Sequence, residues 1–164
     1  MNRCQYLLLL PLFLLSLISF GGCSDSSRPA DLPPLFSCTI SVTQGDAALE
    51  GGYVELVSPD AQKYRPSATT DANGNAVMLT YGYPGAPAGK YKILVSKTIE
   101  DDFVYGLNEY GEQAVVSSNK YQMVDSDYSK ADTTPHEVEV ATKGKTQTTI
   151  DVGAPIRVRM RGND

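Results

Sequence analysis

The chain has 164 residues, with 19 acidic and 14 basic side chains and a formal net charge of −5. This excess of negative charge disfavours nucleic acid as a partner, because the phosphate backbone repels acidic proteins. The chain holds one histidine and three cysteines, which leaves little material for a histidine metal site or a disulfide framework.

The first 22 residues have the pattern of an export signal. Residues 2–5 carry a single charge, on Arg3, and the apolar run 6–20 follows, before the glycines 21–22. A charged start, an apolar middle and small residues before a cut are typical of a signal peptide. The run is shorter than the roughly 20 apolar residues that a membrane-spanning helix needs. Residues 1–22 are therefore predicted to be removed on export.

Cys23 comes directly after the two glycines. With Phe20 it resembles the lipobox of bacterial lipoproteins, which usually has Leu where this chain has Phe20. In that family the cysteine is diacylated, the signal is removed and the new amino terminus is acylated. The resemblance implies a lipid anchor at Cys23, since several acyl chains hold a protein stably on a membrane. Ser24 implies delivery to the outer membrane where two membranes exist. The alternative is an ordinary secretory signal with a chance cysteine.

Cleavage before Cys23 would leave 142 residues with a net charge of −6, enough for one domain with a single core. Residues 23–36 are polar and proline-rich and are predicted to form a flexible tether, because they offer little apolar surface to bury. Residues 37–164 then form the domain. Cys38 would be the one thiol left, and its place in an alternating strand predicts a buried, inert side chain.

Alternation of apolar and polar residues recurs through the domain, bounded by Gly, Pro, Asn and Asp. Seven short strands are predicted, in segments 38–42, 54–56, 67–71, 76–80, 91–95, 138–140 and 148–152. Residues 71–75 contain Asn-Gly, which supplies the positive φ that a tight hairpin requires. Seven such strands are typical of a two-sheet sandwich. Residues 156–161 alternate with arginines and are predicted to add an edge strand.

Three segments carry a resemblance to a known family: Ala48–Leu56 (ALEGGYVEL), Thr70–Asn75 (TDANGN) and Ala88–Val95 (AGKYKILV). In this order and spacing they resemble the carboxypeptidase regulatory-like, transthyretin-like domains of many bacterial lipoproteins. Asp127–Val140 is also similar to a segment of such lipoproteins. The resemblance covers about residues 37–153. It implies an all-β, seven-stranded Greek-key β-sandwich without catalytic residues. An insert at about 97–128 departs from the family pattern.

His136 is the residue on which any catalytic triad or histidine metal site would depend. It lies at a predicted strand start, outside a ligand pair such as H-x-x-x-H, and is predicted to be exposed. Transthyretin-like hydroxyisourate hydrolases use several histidines and end in a different tail from residues 160–164. We therefore expect no enzymatic activity.

Asp71, Asn73 and Asn75 place oxygens at alternate positions, as in the first half of a calcium loop. Gly82 occupies the twelfth position of such a loop, where a carboxylate is required. A tight turn favours the same residue types for conformational reasons. No metal and no other cofactor are expected.

Tyrosines crowd the insert and the loop before it. Tyr81 and Tyr83 lie in a Gly/Pro-rich loop, and Tyr105, Tyr110 and Tyr121 lie in the insert. Aromatic rings beside polar groups stack on sugars or anchor a protein partner. These five tyrosines are therefore the candidate binding surface. The alternative interpretation is that they are structural and pack over the open end of the sandwich.

The sequence thus predicts a non-catalytic, lipid-anchored binding or structural module of the cell envelope, held on the outer membrane. Its expected partners are the membrane, through the lipid anchor, and an unidentified protein or glycan. The alternative function is a carbohydrate-binding lipoprotein of a glycan-uptake system. The absence of tryptophan from the chain counts against a platform for sugars.

Overall fold

The computed structural model describes residues 28–59 and 63–161. Cys23, Ser24 and the predicted signal peptide lie outside the described residues. The folded domain begins at Asp31. Within the described ranges the chain is almost entirely β, with a 3₁₀ helix at Ser126–Ser129. In this part of the chain no helix has the length and apolar character needed to cross a membrane.

The strands are short in the first half of the domain and longer after it. In chain order they are β1 (Leu35–Phe36), β2 (Cys38–Gln44), β3 (Ala47–Ala48), β4 (Tyr53–Val57), β5 (Ser67–Thr69), β6 (Asn75–Val77), β7 (Leu79–Thr80), β8 (Tyr83–Pro84), β9 (Ala86–Pro87), β10 (Gly89–Ser96), β11 (Thr98–Leu107), β12 (Gln113–Gln122), β13 (Glu137–Val140), β14 (Thr146–Asp151) and β15 (Val158–Arg159).

Two sheets form the body of the domain. The larger has the strand order β13-β10-β4-β5-β7-β8, with antiparallel neighbours throughout. The smaller has the order β14-β2-β3, with β6 also paired to β2. β14 and β2 are parallel, from Thr146 opposite Cys38 to Asp151 opposite Thr43. A parallel pair cannot be closed by a tight hairpin, so the rest of the body separates these two strands in sequence.

The hydrophobic core takes alternate side chains from both sheets, because successive residues of a strand point to opposite faces. The smaller sheet contributes Cys38, Ile40, Val42, Ala76 and Ile150, and the larger sheet contributes Val54, Leu56, Tyr91, Ile93, Val95, Val138 and Val140. The predicted all-β, sandwich-like architecture is confirmed. The predicted burial of Cys38 is confirmed as well.

Residues 31–36, part of the predicted flexible tether, lie on the folded domain. Leu32 is buried, Phe36 packs against the core, and β1 pairs with β9. Asp31 accepts a hydrogen bond from the Lys63 ammonium at 2.7 Å. The tether prediction is wrong for these six residues, because a proline-rich composition does not reveal a pairing partner far along the chain.

The predicted insert is a long antiparallel hairpin. β11 and β12 pair from Thr98 opposite Gln122 to Leu107 opposite Gln113. β15 adds to β12, giving a separate three-stranded sheet in the order β11-β12-β15. We call this sheet the arm. The predicted edge strand after residue 155 therefore exists as β15, but it extends the arm. Ten residues at about 3.3 Å each make the arm roughly 30 Å long.

The base of the arm is fixed to the body by backbone and side-chain contacts. The Met123 amide donates to the Lys97 carbonyl at 2.8 Å. The Gln44 side-chain amide, at the end of β2, donates to the Met123 carbonyl at 2.7 Å. Val124, the next residue, is part of the core. The hairpin thus leaves and re-enters the body at a firmly held point.

Candidate binding surface

The five predicted tyrosines are divided between two sheets. Tyr81 occupies the turn between β7 and β8, and Tyr83 lies in β8, both on the larger body sheet. Tyr105 and Tyr121 lie in β11 and β12 of the arm, and Tyr110 lies in the turn at its end. The fold therefore distributes the predicted binding residues over two separate sheets.

Tyr81 is presented by a strained turn. Its φ is +53°, followed by Gly82 at +84°, the combination that a two-residue hairpin turn adopts. The Tyr81 ring is mostly exposed and meets the Tyr64 ring edge-to-face, with centroids 5.8 Å apart. The Tyr64 hydroxyl donates to Asp31 at 2.5 Å. Hydrogen bonds from Lys63 and then Tyr64 lower the pKa of Asp31 to about 2.

One face of the arm carries large apolar side chains in solvent. Tyr105 lies directly opposite Val115, and Leu107 follows two residues along the same strand face. Tyr105 is 61% exposed and Leu107 is 73% exposed. We call these three residues, Tyr105, Leu107 and Val115, the aromatic face. The interpretation that the tyrosines are structural is wrong for Tyr105, because no described part of the body covers this face.

The end of the arm is a turn closed by Asn108. The Asn108 side-chain oxygen accepts from the amides of Tyr110 at 3.0 Å and Glu112 at 2.9 Å. Gly111 provides a φ of +76°. These bonds hold the turn while Tyr110 stands 78% exposed beside the carboxylates of Glu109 and Glu112. The structural interpretation is therefore wrong for Tyr110 too.

Tyr121 has a different environment near the base of the arm. The Arg157 guanidinium lies 4.2 Å above the centre of its ring and 2.9 Å from Asp101. The Tyr121 hydroxyl donates to Asp102. This hydrogen bond, then one from Asn119 and the nearby arginine charge, lower the pKa of Asp102. Because its ring is covered by Arg157, Tyr121 fixes the base of the arm and does not extend the aromatic face.

The valines on the opposite face of the arm are not among the predicted binding residues. Val104 lies opposite Ser117, and Gly106 lies opposite Ala114. A Cβ at Gly106 would stand 3.0 Å from the Val116 side chain, so the glycine leaves room for that valine to cross. The signal available in the sequence was the pair Val115-Val116, which places an apolar side chain on each face of one strand.

The single histidine is held by packing. The His136 ring stacks on the Tyr128 ring, with centroids 5.5 Å apart and planes 13° from parallel. Its Nε2 lies 2.9 Å from the Asp151 carbonyl oxygen, and a carbonyl only accepts, so Nε2 carries the proton. His136 is half-buried and precedes β13. The prediction that it is an exposed strand residue is wrong, because the 3₁₀ helix brings Tyr128 against it.

Two other residues considered for chemistry have structural contacts. Burial raises the pKa of the Cys38 thiol to about 11, which keeps it protonated. One Asp71 carboxylate oxygen accepts from the amides of Asn73 at 2.9 Å and Asn75 at 2.8 Å. The second of these bonds closes the turn before β6, so the oxygen pattern that resembles half a calcium loop here organises a hairpin.

No known protein family matches the chain, and no curated protein matches it. Among solved structures, the chain is similar to a 9R-lipoxygenase from Cyanothece PCC8801, with 13% identity and a TM-score of 0.32. The match covers 76% of this chain and 18% of the lipoxygenase. A similarity this low carries no argument about fold or activity. The resemblance to carboxypeptidase regulatory-like domains therefore stays a prediction.

Proposed function

We propose that this protein is a non-catalytic, lipid-anchored binding module of the cell envelope, and that its arm presents the aromatic face to a protein partner. One observation carries the binding proposal: Tyr105, Leu107 and Val115 stand side by side in solvent on one face of the arm. Adjoining apolar side chains rimmed by polar residues mark interaction sites. Aromatic anchors commonly supply most of the binding energy at such sites.

The lipid anchor is proposed from the sequence alone. Its support is the charged start, the apolar run and the pair of glycines immediately before Cys23. With the domain beginning at Asp31, residues 23–30 would separate the acylated cysteine from the folded body. Fully extended, they reach about 25–30 Å. Such a link would place the arm within reach of partners near the membrane, and Ser24 favours the outer one.

We propose the transthyretin-like, seven-stranded Greek-key assignment for the body. Each of the seven segments predicted as strands overlaps a strand, from β2 to β14. The TDANGN segment forms the turn between β5 and β6, where Gly74 has a φ of +77°. The arm is inserted between β10 and β13. These positions support the family resemblance in the order in which its motifs occur.

The absence of catalysis is also a proposal, supported by how the reactive groups are used. His136 is stacked and hydrogen-bonded to backbone, and the Cys38 thiol is buried with a raised pKa. A nucleophile needs a lowered pKa or an adjacent base. A protein partner is favoured over a glycan because Leu107 and Val115 flank the tyrosine, whereas sugars stack on open aromatic platforms. The alternative is a carbohydrate-binding lipoprotein of a glycan-uptake system, and the binding experiment must distinguish a glycan ligand from a protein partner.

Anchoring is tested with Cys23→Ser in cells given labelled palmitate. The variant should accumulate as an uncut precursor without label. Cys38→Ser is the matched control and should be labelled like the unchanged protein. Equal labelling of Cys23→Ser would reject the lipoprotein assignment.

Binding is tested with a photo-crosslinking amino acid at Gln113, which lies opposite Leu107 in the register of the arm. In cells, irradiation should yield one discrete adduct with another protein. Tyr105→Ser should remove this adduct, and Tyr53→Ser, which changes an exposed tyrosine of the body, should leave it. Loss of the adduct with Tyr53→Ser alone would place the site on the body. Suppression of the adduct by added oligosaccharide would favour the glycan alternative.

A further inference from the structure

The second face of the arm is also apolar in its middle. Val104 and Gly106 alternate with Tyr105, so they lie on the opposite face, and Val116 crosses Gly106 there. Val104 is 53% exposed and Val116 is 55% exposed. We call these three residues the valine face.

The valine face is continuous with the arginine cluster at the base of the arm. The pairing shifts register between Val104, opposite Ser117, and Tyr105, opposite Val115, so Val116 is an extra residue of β12 and alternation is interrupted there. Ser117, the partner of Val104, alternates with Asn119 and Tyr121 along β12, so these three share one face. Arg159 lies opposite Tyr121 in β15. One side of the arm therefore runs from the arginines of β15, across the valines, to the turn at the end.

The two ends of this side carry opposite charge. The turn presents the carboxylates of Glu109 and Glu112. The base carries Arg157, Arg159 and Arg161 together with the carboxylates of Asp101 and Asp102, which sum to a net charge of +1. Arg157 is engaged by both carboxylates, so Arg159 and Arg161 supply the excess positive charge.

The valines lie midway between the charged ends. In β12, Val116 is four residues from Glu112 and five residues from Tyr121. In β11, Val104 is five residues from Glu109 and five residues from Ile99, the partner of Tyr121. A two-fold axis through the valines would therefore bring the acidic end of one arm over the basic end of the other.

We propose that two copies of this chain associate through their valine faces, with the arms antiparallel. The interface is isologous: the valines of each copy meet those of its partner at the axis, and each acidic turn lies on the other copy's arginines. Complementary charges fix the register of such a contact and disfavour other pairings. The aromatic face points away from this interface, so the association is independent of the proposed partner site.

The test uses charge exchange in the full chain, expressed with two different tags in the same cells. The turn variant is E109K/E112K and the base variant is R159E/R161E. Unchanged copies should co-purify in detergent. Two turn variants, or two base variants, should co-purify at least about tenfold less, because like charges meet at both contacts. The turn variant mixed with the base variant should recover the original yield, since both contacts become complementary again.

Recovery in the mixed pair excludes misfolding as the cause of the losses. Lys143→Glu, a charge reversal on the body, should leave co-purification unchanged. Tyr105→Ser should also leave it unchanged, which separates this interface from the partner site. The proposal is rejected if unchanged copies do not co-purify, or if the mixed pair recovers no better than two turn variants.

Discussion

The body and the arm use the same strand pattern with opposite results. In β10, Tyr91, Ile93 and Val95 are almost fully buried against the second sheet. In β11, Val104 and Tyr105 point to opposite faces and are both exposed. Period-two alternation decides which side of a strand is apolar. It does not decide whether another layer covers that side. In the described part of the chain, no layer covers either apolar face of the arm.

The difference implies two sources of stability. Full burial of a large apolar side chain contributes about 1.5–3 kcal/mol, and the body collects this from both sheets. An isolated hairpin is marginal in water. The arm instead depends on β15 as a third strand and on the cluster of Arg157, Asp101 and Asp102 at its base. The body is thus stabilised by its hydrophobic core, and the arm by strand pairing and surface ion pairs.

Truncation inside the body should have the largest effect. Ile40→Ala should lower the free energy of unfolding by about 2–5 kcal/mol, because it leaves a cavity between the sheets. Leu107→Ala, on the arm and outside the valine face, should change it by about 0.5 kcal/mol or less, because this side chain is 73% exposed. Urea denaturation followed by circular dichroism measures both. Equal losses for the two variants would contradict the distinction between a core-held and an exposed region.

Glycine substitutions sharpen the comparison within the body. At Gly74, with φ +77°, a Cβ would stand 2.4 Å from the Val42 carbonyl oxygen. At Gly51, with φ +68°, a Cβ would meet open space. Gly51→Ala should cost about 1–2 kcal/mol for the left-handed backbone alone. Gly74→Ala should cost about 3 kcal/mol, because the clash of the new Cβ with the Val42 carbonyl oxygen adds to the cost of the left-handed backbone. Denaturation curves that coincide would show that the turn relaxes freely.

Removal of the arm tests whether it is separate from the core. Replacing residues 99–121 with a short Gly/Asn turn should cost about 1 kcal/mol or less, because few core contacts are lost. Extending the replacement to residue 124 should cost about 1–3 kcal/mol more, because Val124 leaves the core. Unfolding of the body by the shorter replacement, seen by calorimetry, would show that the arm supports the fold.

Acid titration should give the smallest effect. The pKa of Asp31 is lowered from 3.8 to about 2, chiefly by Lys63 and then Tyr64. A depressed pKa contributes stability above the unfolded-state value, and that contribution is lost as pH falls from about 4 to 2. Asp31→Asn should therefore flatten the decline in melting temperature over this interval. Asp102→Asn, on the arm, should also flatten the decline, because hydrogen bonds from Tyr121 and then Asn119 lower the pKa of that carboxyl as well. A steeper decline with Asp31→Asn would contradict the assigned direction.

The candidate site was only partly readable from the sequence. Tyr105 and Tyr110 were identified and are exposed, as a binding surface requires. Tyr121 belongs to the same predicted surface, but Arg157 covers its ring. That contact joins positions far apart in the chain, and no local pattern reports it. The valine face has no distinctive sequence signal, because valines in a strand are normally expected to be buried.

Local sequence is sufficient to predict the seven strand segments from 38–42 to 148–152, the turn at residues 71–75 and the apolar side of each segment. These features follow from the alternation of side chains along an extended backbone and from the φ values that Asn and Gly allow. The pairing of the strands and the layer that covers each of them are properties of the folded chain as a whole. The fold places β1 on β9 and β15 on β12, and it leaves the arm exposed on both faces. Strand pairing and burial depend on interactions between residues distant in sequence, so a local pattern of residues does not reveal them.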